Sequence, residues 1–285
     1  MLADLSRNRG YDETIQRIIK GGEVVLDIGT GSGLLSMMCA RAGAAKVYTC
    51  ETISAIAEAA REVISENGFG EKIEVINKQS SSLKIGKELP AKADVLVSEV
   101  LDSGLLGEGV LPTVRHASAQ LLKEGGRIIP AAATIKGMLI QSDHLHAIGP
   151  LQNISGFDLS SFGRFQVKEI YRRETLNNIP HTPLSRVIDL CNIDFYKLPP
   201  AVGPEAPNRD HIEVEIIADG MLHAVAFWFD LHLDDKLTLS SGPEGEMIHW
   251  GQAVYTLAPA RQVKKGQRLD LCVEQSEMKV VFSLA

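Results

Sequence analysis

The chain has 285 residues, a formal net charge of −7 and an ordinary composition, and these values exclude several classes of protein. A hydrophobic content of 45% with 23% charged residues is typical of a soluble globular protein of one large or two smaller domains. The negative charge argues against a general nucleic-acid binder and suits a cationic substrate. Because no apolar run approaches about 18 residues and the N-terminus is polar, we expect neither a membrane span nor a signal peptide.

The four cysteines are scattered, without a C-x-x-C pair or a Cys/His cluster. This spacing predicts neither a structural metal site nor a disulfide framework, and it favours a reducing, cytoplasmic compartment. We therefore expect no metal among the cofactors.

The first half of the chain alternates between helical and extended patterns. Apolar residues at helical spacing predict a helix over about residues 3–20, which Gly21-Gly22 closes. Residues 24–33, VVLDIGTGSG, then predict a buried strand, a glycine-rich turn and the start of an amphipathic helix. Glycines let a backbone approach a ligand closely, and a helix N-terminus offers free N–H groups. This unit therefore indicates a nucleotide-type cofactor site.

The spacing of the glycines narrows the choice of cofactor. A dinucleotide site has the pattern G-x-G-x-x-G, whereas this turn reads Gly29-Thr30-Gly31-Ser32-Gly33. That spacing fits the turn of methyltransferases that use S-adenosylmethionine (SAM) better. A glycine turn alone is a weak signal, so a turn without any cofactor remains an alternative.

The alternation continues to residue 130. Further strands are predicted over residues 45–50, 72–78, 93–98 and 127–130, with helices over residues 52–67 and 108–123. Strands that alternate with helices in this way favour a parallel, doubly wound sheet.

The pattern changes at Pro130, beyond which we find no strand–helix–strand units. Pro, Gly, Asn and Asp separate short alternating runs, which favour an antiparallel β domain. The runs cover residues 134–140, 186–191, 211–217, 222–233, 253–257, 268–273 and 278–284. Residues 144–170 are less strand-like, and we expect a helical excursion there. The sequence thus predicts an α/β domain over residues 1–130 and a β domain over residues 131–285.

Glu51 ends the second predicted strand. In a doubly wound fold, an acidic residue at this position can hydrogen-bond the ribose hydroxyls of a cofactor. The alternative is a solvated carboxylate at a strand end. The glycine turn upstream favours the ribose role.

Two glutamates flank the segment SEVLDSGLLGEG, residues 98–109. Glu99 follows the fourth predicted strand, at the end where ligands bind in open α/β sheets, and Glu108 precedes the next helix. Leucines between them favour a loop held against the body of the protein. Two close carboxylates match the fork of a guanidinium group. On spacing alone, a Glu108 that only interacts with the helix dipole is at least as consistent.

Two further pairs are candidates, each with a structural alternative. His249-Trp250 follows a Gly/Pro turn, where the His can relay a proton and the Trp can stack on a guanidinium group. A buried core His and a packed Trp are the alternative.

Asp4 and Arg7 lie one helical turn apart, as in an exposed ion pair. The other interpretation is that Arg7 reaches the carboxylate of a cofactor's methionine moiety.

In this order, the motifs resemble those of the protein arginine N-methyltransferase family, over essentially the whole chain. The combination of the double-glutamate loop with a His-Trp pair far downstream is specific to this family. The sequence of the loop resembles the branch whose eukaryotic members carry two tandem modules. The residues that carry the resemblance are Met1-Leu2, Asp4, Arg7 and Tyr11 in the N-terminal pattern, Asp27 in the first SAM motif, Glu51 as the ribose acid, Glu99 and Glu108, Pro130 before the β-barrel, and Ile248-His249-Trp250.

The resemblance implies a Rossmann-like, SAM-dependent methyltransferase domain followed by an antiparallel β-barrel-like domain with an inserted dimerisation arm, roughly residues 143–175. Residues 155–162 resemble part of that arm, so a head-to-tail homodimer is expected. The implied catalytic residues are Glu99, Glu108 and His249, and the implied substrate-binding residues are Glu99, Glu108 and Trp250. The implied SAM-binding residues are Met1, Arg7, Asp27, Gly29, Thr30, Gly31, Glu51, Thr52 and Ser81.

Three departures from the family pattern matter. The family's cofactor-covering helix has no counterpart upstream of Met1, which predicts a more exposed cofactor. The Thr of its Thr-His-Trp loop is Ile248 here. The loop between the glutamates lacks the aromatic and Met residues of many members, which leaves substrate fit and product type open.

We therefore expect an enzyme that transfers a methyl group from SAM to a guanidinium nitrogen of arginine in a protein or peptide. A SAM-dependent methyltransferase of a small cationic metabolite, or of a nucleic-acid base, is one alternative, and the acidic balance argues against bases. A catalytically inactive SAM-binding or scaffolding module is another. The intact Glu99, Glu108 and His249 argue against it, because such a clamp has little structural use.

Overall fold

The computed structural model describes residues 1–147, 153–165, 172–201, 207–245 and 248–284. Strands and helices alternate up to residue 129, and antiparallel strands dominate afterwards. The α-helices of the described residues are α1 Leu5–Ile18, α2 Leu34–Arg41, α3 Ser54–Glu66, α4 Val110–Gln120 and α5 Asp143–Ala147. The strands of the first part are β1 Val24–Ile28, β2 Lys46–Cys50, β3 Ile73–Ile76, β4 Ala93–Ser98 and β5 Leu122–Ile129. The strands of the second part are β6 Ala132–Gln141, β7 Asn153–Ile154, β8 Phe157–Asp158, β9 Arg172–Glu174, β10 Thr182–Pro183, β11 Ile188–Asp194, β12 Asn208–Glu215, β13 Gly220–His232, β14 Thr238–Ser240, β15 Gln252–Val263, β16 Arg268–Gln275 and β17 Val280–Leu284.

The first five strands form one parallel sheet in the order β3-β2-β1-β4-β5. In register, Leu26 of β1 lies opposite Tyr48 of β2 and Leu96 of β4. Strand order reverses between β1 and β4, and ligands bind at such a switch point, beyond the carboxyl ends of the strands. The order places the ends of β1, β2 and β4 at one edge, which is where the candidate residues lie.

Local chemistry explains how the helices at this edge begin. The Asp4 side chain accepts a hydrogen bond from the Arg7 backbone N–H (2.9 Å) and caps α1. Gly33 adopts a left-handed conformation, with φ of 81°, at the N-cap of α2. A Cβ atom at Gly33 would lie 2.9 Å from the Ile64 side chain of α3, so glycine is required there.

The second part is an antiparallel, β-barrel-like domain. A seven-stranded sheet runs in the order β10-β6-β13-β15-β9, with β11 also paired to β6 and β14 to β13. Strands β12, β16 and β17 form a second sheet. Phe282 of β17 contacts the rings of Phe227 and Tyr255 (centroid distances 5.1 and 5.5 Å), which joins the two sheets through a buried aromatic cluster.

These sheets confirm the predicted fold class. Most predicted strands lie within a few residues of the observed ones, but β5 begins five residues before the predicted start at residue 127, and β15 ends six residues after the predicted end at residue 257. Two further local predictions differ. Residues 144–170 were expected to be helical, but their described part contains the end of the short helix α5, the β7–β8 hairpin and a 3₁₀ segment, Ser160–Phe165. Residues 148–152 and 166–171 lie outside the described residues. The helix predicted over residues 108–123 is shorter at both ends: Gly109, with φ of 82°, is its N-cap, and at the other end the chain leaves the helix at Leu121 and enters β5 at Leu122.

Contacts between the two parts place the carboxyl edge of the parallel sheet against the β domain. Arg17 of α1 pairs with Asp234 after β13 (2.9 Å), and Gly10 lies against the Leu239 side chain of β14. Arg115 of α4 pairs with Glu277 between β16 and β17. In the described part of the chain, no helix combines the length and apolar character of a membrane-spanning segment.

Candidate active site

The glycine turn between β1 and α2 is tied to the neighbouring strand. The backbone N–H groups of Gly29 and Thr30 both donate to the Cys50 carbonyl (3.1 Å each). Gly29, Gly31 and Gly33 all have positive φ values (91°, 51° and 81°), which favour glycine over residues with a side chain. The turn therefore presents bare backbone at the switch point of the sheet.

Asp27 of β1 is fully buried beneath this turn. Its Oδ2 accepts hydrogen bonds from the hydroxyls of Ser36 and Thr49, and its buried Oδ1 has no hydrogen-bond partner within the described part of the chain. Burial raises the pKa of Asp27 to about 7, and the two hydroxyl hydrogen bonds oppose that shift. An orphaned carboxylate oxygen at a switch point indicates a place for a donor from a ligand.

Glu51 follows β2 and turns back towards the glycine turn. One of its carboxylate oxygens accepts the Gly31 N–H (3.2 Å), and the other accepts the Ile53 N–H (3.0 Å). These bonds hold the carboxylate at the carboxyl end of β2, beside the glycine backbone. This is the geometry that the predicted contact with ribose hydroxyls requires.

Arg7 and Glu99 form a buried ion pair. Arg7 Nη2 lies 2.9 Å from Glu99 Oε2, with side-chain exposures of 4% and 6%. The Arg7 guanidinium also lies 5.2 Å from the ring centroid of Tyr11, whose hydroxyl donates to the Ser98 carbonyl (3.2 Å). Among the described residues, Arg7 Nε is buried and has no hydrogen-bond partner, so this guanidinium retains one donor that is not used. The sequence reasoning did not foresee that Arg7 pairs with Glu99.

Trp250 orients the other oxygen of Glu99. The indole Nε1–H donates to Glu99 Oε1 (2.9 Å), and the ring packs against Phe229 with centroids 5.1 Å apart. Burial raises the pKa of Glu99, while Arg7 and the Trp250 hydrogen bond lower it. Both carboxylate oxygens therefore have a fixed donor. The predicted stacking of Trp250 on a substrate guanidinium stays a prediction, since its described contacts are with Glu99 and Phe229.

Glu108 lies in the loop between β4 and α4, two residues before the helix begins at Val110. Its side chain is exposed, but partial burial of the carboxyl group raises its pKa, and the charges of Glu99 and Asp102 add to this rise. Glu99 is thus the inner, fixed carboxylate, and Glu108 is the outer one. The charge of Glu99 contributes to the raised pKa of Glu108, and the joint binding of a guanidinium group by the two glutamates stays a prediction.

Asp4 joins α1 to the His249-Trp250 segment. Its Oδ2 accepts the backbone N–H of His249 (2.7 Å), while its Oδ1 caps α1. Burial, followed by nearby positive charges that include Arg173, lowers the pKa of His249. A neutral imidazole at neutral pH can accept a proton. Asp4 thus holds the His249 segment through its backbone N–H rather than through the imidazole ring.

The other predicted cofactor-binding residues are Met1, Thr52 and Ser81, and all three are exposed. Met1 is half-exposed at the start of the turn before α1, and its carbonyl accepts the Asp4 N–H. Thr52 is exposed after β2, and Ser81 is exposed in a 3₁₀ segment, Ser80–Ser82. Their contacts with a cofactor stay predictions. Sequence reasoning gave no role to Ser36 and Thr49; a polar residue on the apolar face of α2 is the signal that could have identified Ser36.

The described residues fit SAM. Its methionine end carries an ammonium and a carboxylate, which match the free Asp27 Oδ1 and the free Arg7 Nε. Its ribose hydroxyls match the Glu51 carboxylate at the end of β2. Residues on β1, β2 and α1 could thus hold the cofactor, with its methionine end close to Glu99.

Two family models match the chain. The model described as "Arginine methyltransferase oligomerization subdomain" matches residues 131–282, more than half of the chain. The model described as "Ribosomal protein L11 methyltransferase (PrmA)" matches residues 13–132. The two matches meet where the parallel sheet gives way to the antiparallel ones.

Curated relatives and solved structures agree with these models. The chain is 38% identical to an arginine N(omega)-methyltransferase of Streptomyces achromogenes subsp. streptozoticus, over 100% of the chain and 77% of the relative. It is 32% identical to human protein arginine N-methyltransferase 9, over 90% of the chain and 33% of that protein. It is also 32% identical to chicken protein arginine N-methyltransferase 7, over 100% of the chain and 45% of that protein.

Among solved structures, the Trypanosoma brucei PRMT1 enzyme–prozyme heterotetrameric complex with AdoHcy superposes with a TM-score of 0.80 at 25% identity, over 100% of this chain and 90% of that chain. Arabidopsis thaliana protein arginine methyltransferase 10 shares the fold, with a TM-score of 0.76 at 22% identity, over 100% of this chain and 94% of that chain. The glycine turn, the Glu99–Arg7 pair and these matches together show that the chain belongs to the protein arginine N-methyltransferase family, whose members depend on SAM.

Proposed function

We propose that this enzyme transfers a methyl group from SAM to a guanidinium nitrogen of arginine, with Glu99 and Glu108 as the substrate clamp. The observation that carries the proposal is the fixed state of Glu99, whose two oxygens are held by Arg7 and Trp250 beside the cofactor edge. A carboxylate oriented from both sides is pre-organised for a planar guanidinium group. Glu108 supplies the second, outer carboxylate.

Binding by two carboxylates would compensate for the low nucleophilicity of the arginine guanidinium group. A guanidinium group is cationic up to a pKa above about 12, and its lone pairs are delocalised. When bound, SAM supplies an electrophilic sulfonium methyl group. Glu99 and Glu108 draw the positive charge towards the nitrogens that they bind, which leaves one terminal nitrogen better able to attack in line.

One proton leaves the guanidinium nitrogen during or after transfer. Two groups can accept it. Glu108 has a raised pKa, and His249 has a lowered one, so the former is a better base than an ordinary glutamate and the latter is neutral at pH 7. The pKa directions of both groups therefore suit proton transfer near neutral pH.

We propose an arginine side chain in a protein or peptide as the first substrate class. Its support is the similarity to relatives named protein arginine N-methyltransferase, of which the chain spans only a third to a half. The second candidate is arginine itself, because the relative at 38% identity is named for arginine and matches the whole chain. Both substrates present the same guanidinium group to the clamp, so assays with arginine-containing peptides and with free arginine separate them.

Glu99→Gln and Glu108→Gln test the clamp. Each variant keeps the size of the side chain but removes a charge, so methyl transfer should fall by at least about a hundredfold while SAM affinity, measured calorimetrically, stays near that of the wild type. Glu124→Gln, on the exposed β5, is the matched control and should be fully active. Retained transfer in the clamp variants would contradict the proposal, and SAM binding without transfer to any arginine compound would favour the inactive-module alternative.

We also propose that the chain forms a homodimer through the segment that follows α5. The family model that matches residues 131–282 is an oligomerization subdomain. Three large apolar side chains of the described part of this segment are solvent-exposed, as at a surface that could pack against a second copy: Ile154, Phe157 and Leu159. Phe157→Asp should convert a dimer into a monomer in analytical ultracentrifugation, and a monomeric wild type would contradict this proposal.

A further inference from the structure

The loop that carries the two glutamates is closed by Asp102. The Asp102 carbonyl accepts the Leu105 N–H (3.0 Å), and Asp102 Oδ1 accepts the Gly107 N–H (2.9 Å). One residue therefore ties two later points of the loop, and the second of them immediately precedes Glu108. Loop segments of this kind are normally free to move unless such bonds fix them.

The conformation that these bonds maintain is strained. Leu105 has φ of 77°, a left-handed conformation that costs a residue with a side chain about 1 kcal/mol or more. Its side chain is fully buried, as is that of Leu106. The burial of the two leucine side chains therefore offsets the backbone strain at Leu105. The two Asp102 hydrogen bonds maintain the loop in this conformation. Strain of this type concentrates at functional sites.

Glu108 lies between two anchored residues. On one side, the Gly107 N–H is bound to Asp102, and on the other, the Gly109 N–H donates to the Leu106 carbonyl (2.9 Å). Both neighbours of Glu108 are therefore fixed, although the Glu108 side chain is exposed.

We propose that Asp102 is a positioning residue for the clamp: its side chain holds the loop that aims Glu108, and its negative charge adds to the attraction for a cationic substrate. This inference deepens the proposed function and rests on it. The role is separate from that of Glu99, which Arg7 and Trp250 orient from other parts of the chain.

The pKa of Glu108 depends on the charged groups that face it. Within the described residues, the carboxylates of Glu99 at the end of β4 and of Asp102 in the loop act on it, and both raise its pKa after burial has done so. Arg7 of α1 acts on Glu99 and lowers the pKa of that group. Removing the Asp102 charge should therefore lower the pKa of Glu108.

Two substitutions separate the hydrogen bond from the charge. Asp102→Asn keeps an oxygen that can accept the Gly107 N–H but removes the charge, whereas Asp102→Ala removes both. Asp194→Asn and Asp194→Ala are matched controls, because Asp194 Oδ1 accepts the Tyr196 N–H at the same distance of 2.9 Å within the β domain. All five proteins, wild type included, are used as full chains.

Three measurements decide the inference. With an arginine peptide or free arginine, Asp102→Ala should lower kcat/KM about tenfold, mainly through KM, while Asp102→Asn stays closer to the wild type at pH 8. A carboxyl ¹³C NMR titration, with the Glu108 signal assigned by Glu108→Gln, should show that Glu108 titrates at lower pH in Asp102→Asn. Amide exchange of Gly107 should accelerate in Asp102→Ala only. The Asp194 variants should match the wild type in all three.

Several results would overturn the inference. An unchanged Gly107 exchange rate with an unchanged KM in Asp102→Ala would remove the positioning role, and an unmoved Glu108 titration in Asp102→Asn would remove the charge role. If Asp102→Ala does not fold, Asp102→Asn decides through its titration. Full activity of Glu108→Gln would instead contradict the proposed clamp, while the NMR and exchange measurements would still report on Asp102 itself.

Discussion

Each oxygen of the buried Glu99 carboxylate has its own donor. Arg7 holds Oε2 and the Trp250 indole holds Oε1, both at 2.9 Å. Hydrogen bonds to an ionised group favour the ionised form, so these donors offset the cost of burying the charge. At the scale of single residues, the site is a buried carboxylate whose two oxygens are both oriented by fixed donors.

The indole hydrogen bond can be tested with Trp250→Phe. Loss of the donor should lower kcat/KM about tenfold, the usual magnitude for a hydrogen bond to a charged group. Because that bond lowers the pKa of Glu99, its removal raises the pKa, and activity should be lost at a higher pH on the acid side of the pH–rate profile. The chain has only two tryptophans, so Trp228→Phe is the matched control and should leave the profile in place. Identical profiles for the two variants would contradict the assignment.

Asp27 gives a second prediction at the scale of a residue. Its folded-state pKa of about 7 exceeds the ordinary value of 3.8, so its contribution to the free energy of unfolding becomes less favourable as the pH rises from about 4 to 7 and is constant above. Asp27→Asn cannot ionise and can still accept the Ser36 and Thr49 hydroxyls. Without cofactor, it should melt at a higher temperature than the wild type at pH 8, with a smaller gain at pH 5.

The same substitution should weaken SAM binding, since it removes the charge opposite the cofactor's ammonium group. Wild-type affinity for SAM should rise between pH 6 and pH 8 as Asp27 ionises, and the rise should disappear in Asp27→Asn. Calorimetric titration measures both trends. A less stable Asp27→Asn protein at pH 8 would show that Asp27 is charged and stabilised by other means.

Among the elements, the glycine turn and α2 decide where the cofactor edge lies. Gly33 caps α2 in a left-handed conformation and lies directly against Ile64 of α3. The turn thus depends on the ability of glycine to adopt positive φ and on close contact with the next helix. The shape of the glycine turn therefore depends on packing as well as on the positions of the glycines in the sequence.

Gly33→Ala should therefore cost more than the same change at a free glycine. Gly68, at the end of α3, has a similar φ of 78°, but a Cβ atom there meets nothing within 4 Å. Gly68→Ala should cost about 1 kcal/mol from backbone strain alone, and Gly33→Ala about 1 to 3 kcal/mol more from the clash with Ile64. Urea denaturation measures both. Equal losses would mean that Ile64 moves aside without cost.

Across the whole molecule, the active site depends on how the two parts are held together. Helices α1 and α4 both reach from the parallel sheet to the β domain, through Arg17 with Asp234 and Arg115 with Glu277. Arg115 binds Glu277 with two nitrogens (2.6 and 3.1 Å) and donates to the Pro199 carbonyl with a third (2.9 Å). A bidentate, partly buried pair of this kind is stronger than an exposed one.

Arg115→Ala should lower the free energy of unfolding by about 1 to 3 kcal/mol, because it leaves Glu277 without this partner at the junction. Arg268→Ala is the control. Arg268 pairs with Glu213 through one nitrogen (2.7 Å) in an exposed position within one sheet, so its loss should cost less than about 1 kcal/mol. Equal effects in chemical denaturation would show that the Arg115 junction adds nothing beyond a surface pair.

The predictable features were those with short-range signals. The glycine turn follows from positions that need positive φ, and the strands follow from apolar periodicity, so both could be placed within a few residues. The helical prediction over residues 144–170 failed because a short hairpin and a 3₁₀ segment carry little periodicity. The length of α4 was overestimated at its start because the capping role of Gly109 depends on a left-handed φ, and at its end because β5 already begins at Leu122.

By itself, the sequence determined the order of elements, the parallel sheet and the residue types that follow its strands. Those properties depend on local periodicity and backbone preference. Only the tertiary structure decided that Trp250, 151 residues from Glu99, donates to its carboxylate, and that Arg7 pairs with the same group. Such contacts depend on how α1 and the β domain close over the sheet, and side-chain partners across that distance are set by packing.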